Sequence, residues 1–372
     1  MGGPGVKSRV SHEIEPLAEE WDELADAVRA APFLRPGWFI AFWGAFGRGE
    51  LHLVECRAGG RLTGVLPLAR RRGRLDALAN YHSPFFAPLA KDRESAGELA
   101  RAAMELGPRH LSLPLLAGDD ESAGALASGL AAAGARLLTR VQQRTPVVEL
   151  AGSPDWETFR AGLSRGLRKE LGRHERRIEE LGPLRLEVVT EPAGLDAQLD
   201  EAFRLEGSGW KAERGTAILS RAETRRFYTD LCRWAARRGI LRLYFLRAGP
   251  RALAVDLTLE DGGVRYMLKG GFDPDFGRFA PGTVLLGRGL EEAFARGLHR
   301  VELGGGDDPY KLRWTSKVRE RLLVKAFAPT ALGMAERAIV HHGRPLARRL
   351  IGLAQARPRR RGTPPSGRMR QS

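Results

Sequence analysis

Short apolar runs alternate with amphipathic stretches along the whole chain, and turn-forming residues separate them. A helical period covers Leu17 to Arg29, and PGWFIAFWGAFG, opening at Pro36, reads as a second, strongly apolar helix. LHLVECRAG and LTGVLPLARR follow as two strands, with Gly59-Gly60 as their hairpin turn. Ser95 with Glu98 predicts a capping box for a helix running to Leu106. The strands HLSLPLL and TPVVEL close this half near Leu150, and Ser153-Pro154 predicts the start of the next helix.

The second half runs in a similar order. From Arg160, Leu163, Leu167, Leu171, Ile178 and Leu181 recur at helical spacing among alternating charges. The simple reading is a solvated amphipathic helix, the alternative a nucleic-acid-binding face. Strand LRLEVVT, helix LDAQLDEAFRLEGSGW and a capping box of Ser220 with Glu223 come next, then the strands ILRLYFLRAG, ALAVDLTLE and VRYMLKGG. A loop, FDPDFGRFAPG, leads to helix TVLLGRGLEEAFARG, strand RVELGGG, the segment DDPYKLRWTS and a last strand, RLLVKAFA. Strand, hairpin, strand, helix, strand in each half predicts an α/β (α+β) fold, a mixed twisted sheet flanked by helices.

The halves are also related residue by residue. Leu51 to Val65 and Leu241 to Val255 agree at seven of fifteen positions on an offset of 190, and the offset still holds at Gly107 with Gly297 and Leu113 with Leu303. Two similar domains are expected, residues 1–150 and 151–328, followed by a basic segment, 329–372. The cleft between two such domains is a favoured ligand site.

Composition refines this picture in three ways. The 43% apolar and 28% charged content is that of a soluble globular protein, with no run long enough to cross a bilayer and no secretory leader at the N-terminus, so a cytoplasmic protein is expected. Cys56 and Cys232 lie in apolar segments, as buried thiols do, and no histidine spacing suggests a metal. Of the net charge of +15, +9 falls in residues 329–372, which fits either a solubilising extension or contact with an anionic surface.

Arginine outnumbers lysine 52 to 8, which draws notice to Lys211, Lys269 and Lys311 as compact ammonium groups. Asp256 is an acid inside the apolar strand ALAVDLTL, where an unpaired carboxylate is costly, so it is expected to face a cleft or a cation. It is the candidate general base, with Asp307 and Asp308 as a second pair.

The order SGWK (Ser208 to Lys211), GTAI, a strand hairpin, PGT (Pro281 to Thr283) opening a helix, and GGGDDPYKLRW (Gly304 to Trp314) resembles the CelD-type branch of the GNAT acyltransferase superfamily. That branch is similar to the Fem-type aminoacyl-tRNA-dependent transferases, which carry two GNAT-like domains in one chain. The resemblance covers roughly residues 12–328 and implies tandem GNAT-like domains that transfer an acyl group, with acetyl-CoA as co-substrate, to an amine or hydroxyl of a saccharide or other small acceptor. It implies a splay between Val264–Lys269 and Arg300–Leu303 for the donor's pantetheine arm, with Lys269, Arg278, Gly282 and Thr283 on the donor side. The superfamily's usual phosphate loop departs here, since RFAPGT has one glycine.

Lys311 falls where the Fem-type relatives place a lysine that binds the acyl carrier or stabilises developing negative charge. Tyr310 is placed to protonate a leaving thiolate or ribose oxygen, its phenol having an ordinary pKa near 10. Tyr310 and Trp314 also read as core aromatics closing the sheet. Trp210 and Lys211 resemble acceptor-side residues, and Trp314 and Tyr81, the latter in ANYHSPFF beside His82 and Ser83, complete the expected substrate side. Two alternatives stand beside this reading: a tRNA-dependent ligase, and a non-catalytic protein docking on RNA or membrane through its basic tail.

Overall fold

The computed structural model describes residues 6–208 and 215–341. The first unit contains β1 (Lys7–Ser11), α1 (Ala18–Ala27), α2 (Pro36–Phe46), β2 (Glu50–Ala58), β3 (Arg61–Arg71), β4 (Arg74–Ala77), β5 (Leu89–Ala90), α3 (Arg93–Glu105), β6 (His110–Ala117), α4 (Glu121–Ala132) and β7 (Arg136–Glu149). The second contains α5 (Trp156–Gly162), α6 (Arg165–Glu179), β8 (Leu184–Val189), α7 (Leu195–Glu206), α8 (Ala222–Arg237), β9 (Leu241–Ala248), β10 (Arg251–Asp261), β11 (Val264–Phe272), α9 (Pro281–Ala295), β12 (Arg300–Glu302) and β13 (Val318–Phe327). A further helix, α10, covers 331–341.

The duplication extends to strand register. β4 runs parallel to β6 with Leu75 opposite Leu111, and β11 runs parallel to β12 with Arg265 opposite Val301, the same pairing 190 residues on. Gly73 and Gly263 open the equivalent strands at φ +73° and +75°, and Gly107 and Gly297 end the equivalent helices at +66° and +69°. These left-handed positions favour a residue without Cβ, so the repeated glycines mark repeated turns.

The two units share one sheet, ordered β1-β2-β3-β4-β6-β13-β7-β12-β11-β10-β9-β8, with β5 beside β3. Its central joint is β7. Residues 136–146 of that strand pair with β13, and Val147, Val148 and Glu149 pair with β12. The last strand therefore leaves the second unit and inserts antiparallel between β6 and β7 of the first. Alternation shows that RLLVKAFA is a strand but does not specify its neighbours.

Helix starts depart from the expected caps. The Asp92 carboxylate, not Ser95, caps α3 by accepting the Ser95 N–H at 2.8 Å, and Asp155 caps α5 in the same way through Thr158. No side chain caps α8. Asp92, one turn before Ser95, and Asp155, two residues after Ser153, each supply a charged acceptor.

The units also meet through their helices. Trp234 of α8 lies against Gly37 of α2, where an added Cβ would stand 1.9 Å from the indole nitrogen. Around this contact Trp38, Phe42, Phe46 and Phe227 pack edge to face or tilted. Burial of each such ring stabilises by about 1.5–3 kcal/mol, so the cluster joins the two units as a core does.

Candidate active site

β11 and β12 hold a parallel register only over Val264–Tyr266. β12 ends at Glu302, and the Leu303 N–H turns away to the Pro146 carbonyl at 3.0 Å. β11 continues to Phe272 beside β10 alone, so a gap opens between the two central strands.

A bulge sets what lines that gap. The β10 register passes from Leu257 opposite Lys269 to Thr258 opposite Met267, leaving Leu268 unmatched. One extra residue reverses the side-chain alternation. Arg265 and Met267 thus line a narrow crevice under α9 with Tyr244, Asp256, Thr258 and Leu286. Lys269 instead faces α8, its ammonium 5.8 Å from the Tyr228 ring centre and 3.3 Å from the Thr216 carbonyl.

Asp256 stands opposite Gly270, and a Cβ on Gly270 would come within 2.1 Å of its Oδ1. The carboxylate thus rests on bare backbone at the mouth of the crevice. Gly271 serves a similar close approach, since its Cβ would be 2.5 Å from the Glu206 Cα. Two glycines ending a strand are a sequence signal of such contacts, and they could have located this mouth.

The equivalent gap in the first unit is closed by its own chain. Beyond the end of β4, Phe86 forms a parallel bridge with Leu116; its N–H donates to the Leu115 carbonyl at 2.8 Å and its carbonyl accepts from Ala117 at 2.8 Å. The Phe86 ring is 1% exposed. Among the described residues no isolated bridge of this kind spans β11 and β12.

Lys311, in the segment that follows β12, is buried. Its ammonium donates to the carbonyls of Gly304 at 2.8 Å and Gly306 at 3.1 Å and pairs with Asp308 at 2.9 Å. Three N–H groups meet three acceptors. Gly304 itself lies against β11, where a Cβ would be 2.2 Å from the Met267 carbonyl. Lys311 therefore holds the 304–308 loop against the open strand.

Tyr310, next to it, is 56% exposed. Crowding around the hydroxyl, then the Asp256 and Asp308 carboxylates, raise its pKa above the ordinary tyrosine value, so the phenol keeps its proton. Asp256 lines the crevice, Tyr310 lies near enough to feel its charge, and the Lys311 ammonium is 5.5 Å from the Tyr310 ring centre. Trp314 lies apart from the crevice, 4% exposed and packed with Leu171 against Gly287 of α9, in the second of the two roles open to it. Asp307 is exposed on the loop.

At the start of α9, Pro281 has no N–H and the Thr283 N–H is given to the Ala280 carbonyl at 2.9 Å, which leaves Gly282 at the helix end. Arg278 and Arg177 lie over the Phe279 ring at 4.8 and 5.1 Å. Arg177, on α6, adds to the expected donor side a cation that the sequence hid within a run of helix charges.

Tyr81, 65% exposed, lies tilted over His82 with ring centres 3.9 Å apart, and the His82 Nδ1 lies 3.1 Å from the Tyr228 hydroxyl. This loop and Lys269 face one another across the junction of the units. Trp210 and Lys211 lie outside the described residues. Among the described residues no group of three His, Cys, Asp or Glu could hold a metal ion.

Residues 165–312 match the family described as Acetyltransferase (GNAT) domain. No curated protein matches the chain by sequence. Among solved structures, FemX superposes with a TM-score of 0.57 at 12% identity, over 85% of this chain and 96% of that one. A C-terminal domain (DUF2156) described as that of a lysylphosphatidylglycerol synthetase from Agrobacterium fabrum gives 0.54 at 16%, over 87% and 96%. L-PGS from Bacillus licheniformis gives 0.52 at 11%, over 82% and 95%. At such identity these likenesses establish a shared fold over most of both chains.

Proposed function

We propose that this chain, an acyltransferase with a GNAT domain over residues 165–312, moves acetyl from acetyl-CoA onto an amine or hydroxyl of a small, saccharide-like acceptor. The observation that carries this reading is the open, bulged gap between β11 and β12, beside a first unit whose equivalent gap Phe86 seals. The 151–328 unit then holds the donor, and the 1–150 unit shapes the acceptor side through Tyr81.

Asp256 accepts the acceptor's proton as its nitrogen or oxygen attacks the thioester carbonyl. Leu268, opposite no residue of β10, offers its N–H to the oxygen that becomes negative. The C–S bond breaks and Tyr310 gives its proton to the thiolate, a transfer that requires a phenol still protonated at neutral pH. Lys311 acts through the loop it clamps. Arg278, Gly282 and Thr283, with Arg177, take the donor's phosphates, whereas Lys269, turned toward α8 by the bulge, lies off the donor's path.

A second reading, an aminoacyl-tRNA donor, is favoured by the start of α9, where one glycine and a proline leave few amides for a pyrophosphate. Calorimetric titration with acetyl-CoA, and with charged and uncharged tRNA at two salt concentrations, separates the two. Saturable acetyl-CoA binding supports the first; tRNA binding that weakens steeply with salt, without acetyl-CoA heat, supports the second.

A further inference from the structure

α10 presents the wrong face to water. Its inner side is Gly333, where a Cβ would be 2.3 Å from the Ala328 carbonyl, and Glu336, whose carboxylate meets His110 Nδ1 at 2.5 Å and Arg109 at 3.4 Å. The helix's one acid is thereby turned inward. Its exposed side is Ala331, Leu332, Met334, Ala335, Ala338 and Ile339, with Leu332 65% and Ile339 69% accessible and no charge among them. A surface helix that only needs solvation carries its charges on that side.

Charge identifies the occupant. Residues 337–372 contain ten arginines and no acid. Arg74, Arg109 and Lys325 lie close enough to act on the His110–Glu336 pair, so the fold adds cations around the helix base. An uncharged apolar helix face followed in sequence by an arginine-rich segment is the pattern of a helix lying in a lipid interface, where the face enters the acyl boundary and the cations meet lipid phosphates. Nucleic acid would use the arginines and leave the apolar face uncovered. α10 covers 331–341, about half the roughly 20 residues a membrane-crossing helix needs, so its contact is with the surface.

We propose that α10 docks the protein on an anionic lipid surface through Leu332, Ala335 and Ile339, with the arginines that follow bound to lipid phosphates. The test is flotation of the full chain with phosphatidylcholine vesicles, with and without phosphatidylglycerol, at low and high salt. The expected result is binding at least about tenfold stronger to the anionic vesicles, weakened by salt. The Leu332→Glu/Ile339→Glu variant should lose about tenfold of that binding, with its melting temperature and acetyl-CoA titration unchanged, because both side chains already face water. Four outcomes overturn the proposal: equal binding to neutral vesicles, undiminished binding by the double variant, a salt-sensitive RNA complex without vesicle binding, or a dimer that the double variant abolishes while vesicles stay bare.

Discussion

Nδ1 of His82, in the first unit, lies 3.1 Å from the Tyr228 hydroxyl of the second, and both side chains are buried. The imidazole stacks on Phe46 at 5.2 Å. Burial, then the nearby charges of Lys269 and Arg221, push its pKa from 6.5 to about 3. The folded protein therefore holds this ring neutral at the joint between the units.

A neutral buried histidine makes stability depend on acid. Below pH 6.5 the unfolded chain takes up a proton at His82 that the folded chain refuses until about pH 3, so stability falls as pH falls through that window. The slope is at most about 1.4 kcal/mol per pH unit from this site. His110 and His174, also shifted down by burial, act in the same direction. Denaturant unfolding at pH 7 and pH 5 should show a smaller loss for His82→Phe than for the unaltered protein; equal losses refute the assignment.

Gly270→Ala should disable the crevice while leaving the fold in place. The new methyl would meet Asp256 Oδ1 at 2.1 Å and turn the carboxylate out of the mouth. Turnover should fall at least about tenfold, matching Asp256→Asn, as loss of a general base does. Should Asp256→Asn retain near-normal turnover with an unchanged pH profile, the base lies elsewhere.

Removing the Lys311 ammonium leaves the buried carbonyls of Gly304 and Gly306 without a donor. Lys311→Met should cost about 2–6 kcal/mol, the range for orphaning two such groups, and lower turnover through the freed loop. Lys311→Arg should not restore activity, because a planar fork cannot reach the same three acceptors. An unchanged melting temperature with lost turnover would instead put the ammonium in direct contact with the reacting groups.

Deleting 318–328 should unfold the first unit although every deleted residue comes from the end of the second. β6 and β7 would each lose a paired edge in the middle of the sheet. Ending the chain at Thr330 instead should leave both units folded, and circular dichroism of the two variants distinguishes these outcomes.

Much of this architecture is legible in the sequence because repeated turns need repeated residues. The offset of 190 predicts the paired glycines and, through them, the shared register of β4 with β6 and β11 with β12. Asp256 is legible because a carboxylate in an apolar strand requires an explanation. The destination of β13, the bulge at Leu268 and the plug at Phe86 are not legible, since each depends on what lies across the sheet and a strand's own alternation does not record its partner. Lys311 is visible as a rare lysine beside glycines, but its burial follows from a loop conformation that the glycines permit without specifying.

The strand exchange imposes an order on synthesis. The first unit leaves the ribosome with the gap between β6 and β7 unfilled, and the segment that fills it is made only after the whole second unit. Until then the apolar β6 and the longer, largely polar β7 present open edges, the kind of surface that pairs with other chains. Completion of the older half waits on the younger, and the two become folded together or not at all.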